Sequence, residues 1–166
     1  MKRSTTIAQA PFSTAPGANL CASNRAPEMQ KNKPYSGNFL LPMGNDIVKD
    51  FSNGEMVYSD TMGDWRVHNG IDFTGAESDN VFSIQSGKVT NVYDDPMWGI
   101  VVEIDHGNEI VIRYCGLSTA TAQKGDTVQS GEEIGKIGTV PCELKDGTHL
   151  HMEATQNGKF RERIPP

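Results

Sequence analysis

The chain has 166 residues, is 36% hydrophobic and carries a formal charge of −6 at pH 7. That length suits one domain, and the acidic balance argues against a nucleic-acid binder, which would carry a basic patch. No apolar run approaches the roughly 18 residues of a membrane span, and the basic start Met1-Lys2-Arg3-Ser4 lacks the apolar stretch that would make it a signal peptide.

Residues 1–37 hold Pro11, Pro16, Pro27 and Pro34 among Ala, Ser, Thr and Asn, with almost no aliphatic pattern. This composition predicts a flexible linker or tail, with an ordered domain over 38–166 that starts near Phe39. Asp50-Phe51-Ser52 reads as a strand end or a short turn. Val81-Phe82-Ser83-Ile84, a turn at Ser86-Gly87 and Lys88 to Tyr93 follow as short strands. Ile100 to Ile104 and Ile110 to Tyr114 flank Asp105-His106-Gly107-Asn108, a strong hairpin signal. Gly125 to Gly135 has the glycine and Val/Ile spacing of a tight turn between strands, one corner of a sheet. The same pattern occurs in lipoyl and biotinyl carrier domains, but Lys88 lacks the flanking residues of a modified lysine. No stretch carries a helical period. Many short strands with regular turns predict an all-β fold: an antiparallel sheet, sandwich or partly closed barrel.

The chemistry concentrates in two motifs, His68-Asn69-Gly70-Ile71-Asp72 and His149-Leu150-His151, which together use three of the four histidines. Side chains two apart on a strand share a face, so His149 and His151 are expected to enter one cleft. The glycine-containing first motif can bend to aim His68 and Asp72 at a common point. Two histidines and one carboxylate with an open fourth position suit catalytic zinc, which leaves the remaining histidine to meet a zinc-bound water or substrate. Calcium would need more carboxylates. His106, in the hairpin turn, is read as structural or solvated. Cys21, Cys115 and Cys142 form no disulfide framework, and the latter two read as small buried hydrophobes.

The His-x-x-x-Asp and His-x-His pair resembles the zinc signature of the LytM, or lysostaphin-type, M23 metallopeptidases, over roughly residues 39 to 166. The resemblance implies a LytM-like antiparallel sheet, or partly open β-barrel-sandwich, with an active-site groove. It implies Zn2+ held by His68, Asp72 and His151, with His149 as an acid/base or transition-state group. The family carries a second catalytic histidine in a Tyr-x-His-Leu motif; here Tyr114-Cys115-Gly116-Leu117 places Gly116 at that position. Losing one positioned acid/base group costs on the order of 10²–10⁴ in rate. Cys115 is expected on the opposite strand face, a poor substitute.

Val57 to Asp72, with Trp65-Arg66 leading into the first motif, resembles the stage II sporulation protein Q subfamily of LytM domains. That implies a forespore membrane-anchored, extracytoplasmic protein and a ring-forming partner like stage III sporulation protein AH. Three functions are therefore weighed. The first is a zinc-binding scaffold in a trans-envelope sporulation complex, with little or no peptidase activity. The second is an active zinc endopeptidase that cleaves peptidoglycan peptides. The third is an activator of a cell-wall amidase, which the retained ligand set disfavours. Trp65 and Arg66 are partner-binding candidates, because Trp and Arg are enriched at interface hot spots, and the Pro96-Met97-Trp98 loop is the next candidate.

Overall fold

A computed structural model describes residues 39–44 and 46–162. The tail expected over 1–37 lies outside the described residues. The strands are β1 (Ile47–Lys49), β2 (Met56–Ser59), β3 (Asp64–Val67), β4 (Ile71–Thr74), β5 (Asn80–Phe82), β6 (Gly87–Asp95), β7 (Gly99–Asp105), β8 (Ile110–Ala120), β9 (Thr127–Val128), β10 (Glu133–Ile137), β11 (His149–Gln156) and β12 (Lys159–Phe160). A 3-10 turn, Pro141–Asp146, precedes β11.

The all-β expectation holds, as one large antiparallel sheet that does not close into a barrel. Its main path runs β1-β4-β11-β8-β7-β6-β9, with β10 bridging β5 and β8, and β12 on β11. β2 and β3 form a separate hairpin. The expected 105–108 hairpin joins β7 to β8.

Strand alternation sorts the residues of the central strands onto two faces. On the core face, Leu150, Met152 and Ala154 of β11 pack with Ile110, Ile112 and Tyr114 of β8, Phe73 of β4, and Val102 and Ile104 of β7. Burying each large apolar side chain contributes about 1.5–3 kcal/mol, so this face fixes the register of the strands that build the site. The Tyr114 hydroxyl accepts the Ile84 amide at 3.1 Å, which satisfies both polar groups inside the core. On the opposite face β11 presents His149, His151 and Glu153, none more than 4% exposed. Cross-strand pairing sets Asp72 of β4 and Cys115 of β8 opposite His151, and Arg113 opposite Glu153.

This register corrects one expectation. Cys115 shares the site face with His151, its cross-strand partner, rather than lying on the opposite side of the sheet. It remains a fully buried free thiol, and burial raises its pKa. The break in alternation comes at the next residue. Ile100 pairs with Leu117 but Val102 pairs with Tyr114, so β8 carries one extra residue there. Gly116, at φ +84°, sits in that bulge.

A candidate metal centre

His68 and Asp72 flank the bend from β3 into β4, and His151 stands on β11 beside Asp72. The bend needs Gly70: a Cβ there would lie 2.6 Å from the ring of His151. His68 Nε2 lies 3.1 Å from Asp72 Oδ1 and 3.3 Å from His151 Nδ1, and His151 Nδ1 lies 2.8 Å from Asp72 Oδ1. The structure thus brings together the three residues the motifs singled out.

The protons on two rings follow from their outer partners. His68 Nδ1 is 2.8 Å from the Asp50 carbonyl, and His149 Nδ1 is 2.8 Å from the Gly147 carbonyl. A carbonyl only accepts, so each Nδ1 carries a proton and each Nε2 is the nitrogen turned toward the site, where it donates to a carboxylate when protonated and can bind a metal when not. His149 enters the same cleft, with Nε2 3.9 Å from Asp72 Oδ2. On His151 the roles reverse: Nδ1 faces the cluster and Nε2 points to Glu153 Oε1 at 3.5 Å. Glu153 is itself gripped by Arg113. A carboxylate behind a ligating imidazole orients the ring and raises its basicity.

A residue that the sequence reading passed over completes the cluster. Glu143, from the 3-10 turn, places Oε2 3.2 Å from His151 Nδ1 and Oε1 3.6 Å from His68 Nε2. Its Oε2 is also 3.4 Å from His149 Nε2. Among the described residues, His68, Asp72, Glu143 and His151 are all buried and each offers a ligand atom within 4.8 Å of the others. Lys49 holds Glu143 from outside at 3.4 Å and Asp146 at 2.6 Å.

These donors fit a zinc ion. Nitrogen and carboxylate ligands near 2.0–2.2 Å in a tetrahedron stand about 3.3–3.5 Å apart; the His68 and His151 nitrogens stand at 3.3 Å, and Asp72 Oδ1 lies nearer to them, at 3.1 and 2.8 Å. Asp72 is 0% exposed and its Oδ2 has no hydrogen-bond partner, a costly state that a cation would relieve. Burial raises the Asp72 carboxyl, but hydrogen bonds from His151 and His68 outweigh it and hold the pKa below its ordinary value. Burial likewise opposes ionisation of Glu143, and contacts with His149 and His151 overcome it. Burial lowers the His151 pKa, yet Asp72 and Glu143 carry it well above the ordinary histidine value.

The other candidates divide. Gly116 brings no side chain to the site, and a Cβ on it would stand 2.5 Å from Val140 Cγ2. Trp98 does not offer itself outward with Met97; its ring lies over His151 with centroids 4.3 Å apart. Trp65 and Arg66 point to opposite faces of the β2–β3 hairpin. Trp65, 63% exposed, stacks edge-on against Tyr58 beside exposed Met56 and Val67. Arg66 lines the cleft with Val57, Ser59 and Glu143 and is held by Asp64 at 2.7 Å. His106 stands apart from the metal cluster, buried, with Nδ1 3.1 Å from the Ser86 carbonyl.

Comparison with known proteins gives the context. Residues 66–162 match the model described as Peptidase family M23. Stage II sporulation protein Q of Bacillus subtilis (strain 168) is 31% identical over 68% of this chain and 40% of its own length. Peptidoglycan DD-endopeptidase ShyA of Vibrio cholerae serotype O1 is 35% identical over 55% of this chain and 21% of its own length. The chain therefore spans less than half of either relative. Among solved structures, the SpoIIQ–SpoIIIAH pore forming complex contains a chain that superposes with TM-score 0.67 at 25% identity, covering 75% of this chain and 87% of that one. A zinc containing peptidase from Vibrio cholerae superposes with TM-score 0.66 at 27% identity, covering 75% and 39%.

Proposed function

The chain belongs to peptidase family M23, and from that premise we propose that it is a zinc-binding LytM domain that works as a scaffold in a trans-envelope sporulation complex, with little or no peptidase activity. The observation that carries this reading is Gly116. Where M23 peptidases place a second catalytic histidine, this chain has a glycine at φ +84° with Val140 pressed against it. No imidazole is present there, and a Cβ would have to displace Val140 Cγ2 to bring one in. The buried cluster of His68, Asp72 and His151 is nonetheless complete, which supports a metal kept for the fold.

When bound, zinc would join the β3–β4 bend to β11 and would polarise any water it retained. The chain's own residues do the rest. His68 and Asp72 hold the bend, Glu153, held by Arg113, stands 3.5 Å behind His151 Nε2, and Trp98 covers the ring against solvent.

The partner is proposed as a SpoIIIAH-like ring protein, on the likeness to a chain of the SpoIIQ–SpoIIIAH complex, and the place of action as outside the cytoplasm. The exposed face of Met56, Tyr58, Trp65 and Val67 supports a docking role for the β2–β3 hairpin, because an edge-on aromatic pair surrounded by apolar side chains is the composition of an interface centre. Binding of a purified SpoIIIAH-type ectodomain to the wild-type chain, measured by titration, tests this reading. Micromolar or tighter binding is expected, and no binding by a folded protein would count against it.

One observation favours a second reading, an active endopeptidase on peptidoglycan. His149 Nε2 faces the cluster between Glu143 Oε2 and Asp72 Oδ2, where it is placed to pass a proton during peptide cleavage, and family relatives include a peptidoglycan endopeptidase.

A further inference from the structure

Resting on the proposed zinc site, we infer that Glu143 is a fourth protein ligand, which closes the coordination sphere and converts an open catalytic site into a structural one. Three independent observations meet here.

The first is position. The Glu143 carboxylate straddles the two ligand nitrogens, 3.6 Å from His68 Nε2 and 3.2 Å from His151 Nδ1. These are the separations between neighbouring ligands of one tetrahedral zinc. A general base serving a metal-bound water would stand a further water's width away.

The second is charge. Zinc with Asp72 and two neutral histidines leaves a net charge of +1 in a pocket whose members are at most 5% exposed. A second carboxylate makes the buried site neutral, the state favoured in a low-dielectric surrounding. Lys49 then pairs with Asp146 at 2.6 Å and steadies the outer edge of Glu143 at 3.4 Å.

The third is the way the turn is built. Glu143 sits at a kink in the 3-10 turn, at φ −131°, ψ 28°. The turn is tied down by the Cys142 amide donating to the Met97 carbonyl at 2.9 Å and the Lys145 amide donating to Thr61 Oγ1 at 2.9 Å. Val140, at its start, fills the space beside Gly116. The vacancy left by the absent histidine therefore admits the turn that delivers Glu143.

The test is cobalt substitution of the whole chain, with acetohydroxamic acid as the probe for an open position. Wild-type protein loaded with Co2+ is expected to give an intense tetrahedral visible spectrum that the hydroxamate leaves unchanged. Glu143→Ala is expected to keep about one ion per chain, to change its spectrum, and to respond to the hydroxamate. Its zinc affinity, from competition with a chromogenic chelator, should fall about 100-fold or more, since even outer-shell partners cost 10–100-fold. Glu143→Gln, which keeps the side-chain shape, should show the same opening and guards against a folding defect in the alanine variant. If the hydroxamate alters the wild-type spectrum, or if both variants bind zinc as tightly as wild type, Glu143 is not a ligand. The three-residue site would still stand if His68→Ala alone abolished uptake. A wild-type chain that takes up no metal would overturn both readings.

Discussion

Val140 Cγ2 stands 2.5 Å from where a Cβ on Gly116 would lie. This contact ties the position proposed to lack a catalytic histidine to the turn that carries Glu143, because Val140 fills the space a side chain at 116 would enter. Restoring a histidine at position 116 is therefore not a matter of adding one side chain. The backbone there is left-handed, at φ +84°, which disfavours any residue with a Cβ. Gly116→Ala and Gly116→His are both expected to destabilise the domain, by about 1–3 kcal/mol for the alanine, and neither should gain peptidoglycan hydrolysis. Thermal melting and a hydrolysis assay read these together. An unchanged melting temperature would mean that Val140 yields freely.

Zinc removal offers a second prediction. One ion per chain is expected in wild type, and stripping it with a chelator should lower the melting temperature, since a ligand that binds only the folded state stabilises it. His68→Ala should contain almost no metal and show no further change with chelator. Equal chelator sensitivity in the two proteins would place the ion elsewhere.

The affinity for zinc should depend on pH, and the sign follows from the metal-free site. Burial works against a proton on His151, but Asp72 and Glu143 overcome it and raise that pKa well above the ordinary value. Zinc needs the same nitrogen free, so the proton competes to higher pH than for an ordinary histidine. Asp72 and Glu143, with lowered pKa values, stay ionised and add nothing near neutrality. Binding should strengthen as pH rises, by about tenfold per unit for each proton displaced. Calorimetry in buffers of different ionisation enthalpy would also detect the released proton, and a flat profile would contradict the assignment of His151.

Trp65 and Arg66 should separate in mutagenesis because they occupy opposite faces of one hairpin. Trp65→Ala is expected to weaken binding of the SpoIIIAH-type partner by about 2 kcal/mol, as for interface hot spots, with little effect on stability because the ring is already exposed. Arg66→Ala removes a cleft-side group held by Asp64 and should leave that binding nearly unchanged. If Arg66→Ala were the more damaging, the interface would run along the cleft instead.

The ease of reading this chain differed sharply between parts of the site. His68, Asp72, His149 and His151 were legible because strand alternation and a glycine bend translate spacing directly into direction. Glu153 obeys the same alternation, two residues beyond His151, and could have been found by extending it. Glu143 and Trp98 were not legible. Each comes from an irregular segment with no period, and reaches the cluster only through contacts between residues far apart in sequence, such as the Cys142 amide on the Met97 carbonyl. Gly116 was visible as an absence, but its left-handed backbone was not, because a glycine in a sequence does not state which torsion it adopts. The side of Cys115 was misread for a related reason: a bulge at Gly116 breaks the alternation that the reading assumed.

Whether the metal site is kept while hydrolysis is not can be decided in one sample. Purified wild-type chain, with zinc measured in the same preparation, is incubated with purified peptidoglycan and the released muropeptides are followed by chromatography. About one zinc per chain is expected, with no release above a His68→Ala control. Zinc-dependent release at a rate typical of M23 endopeptidases would contradict the scaffold reading.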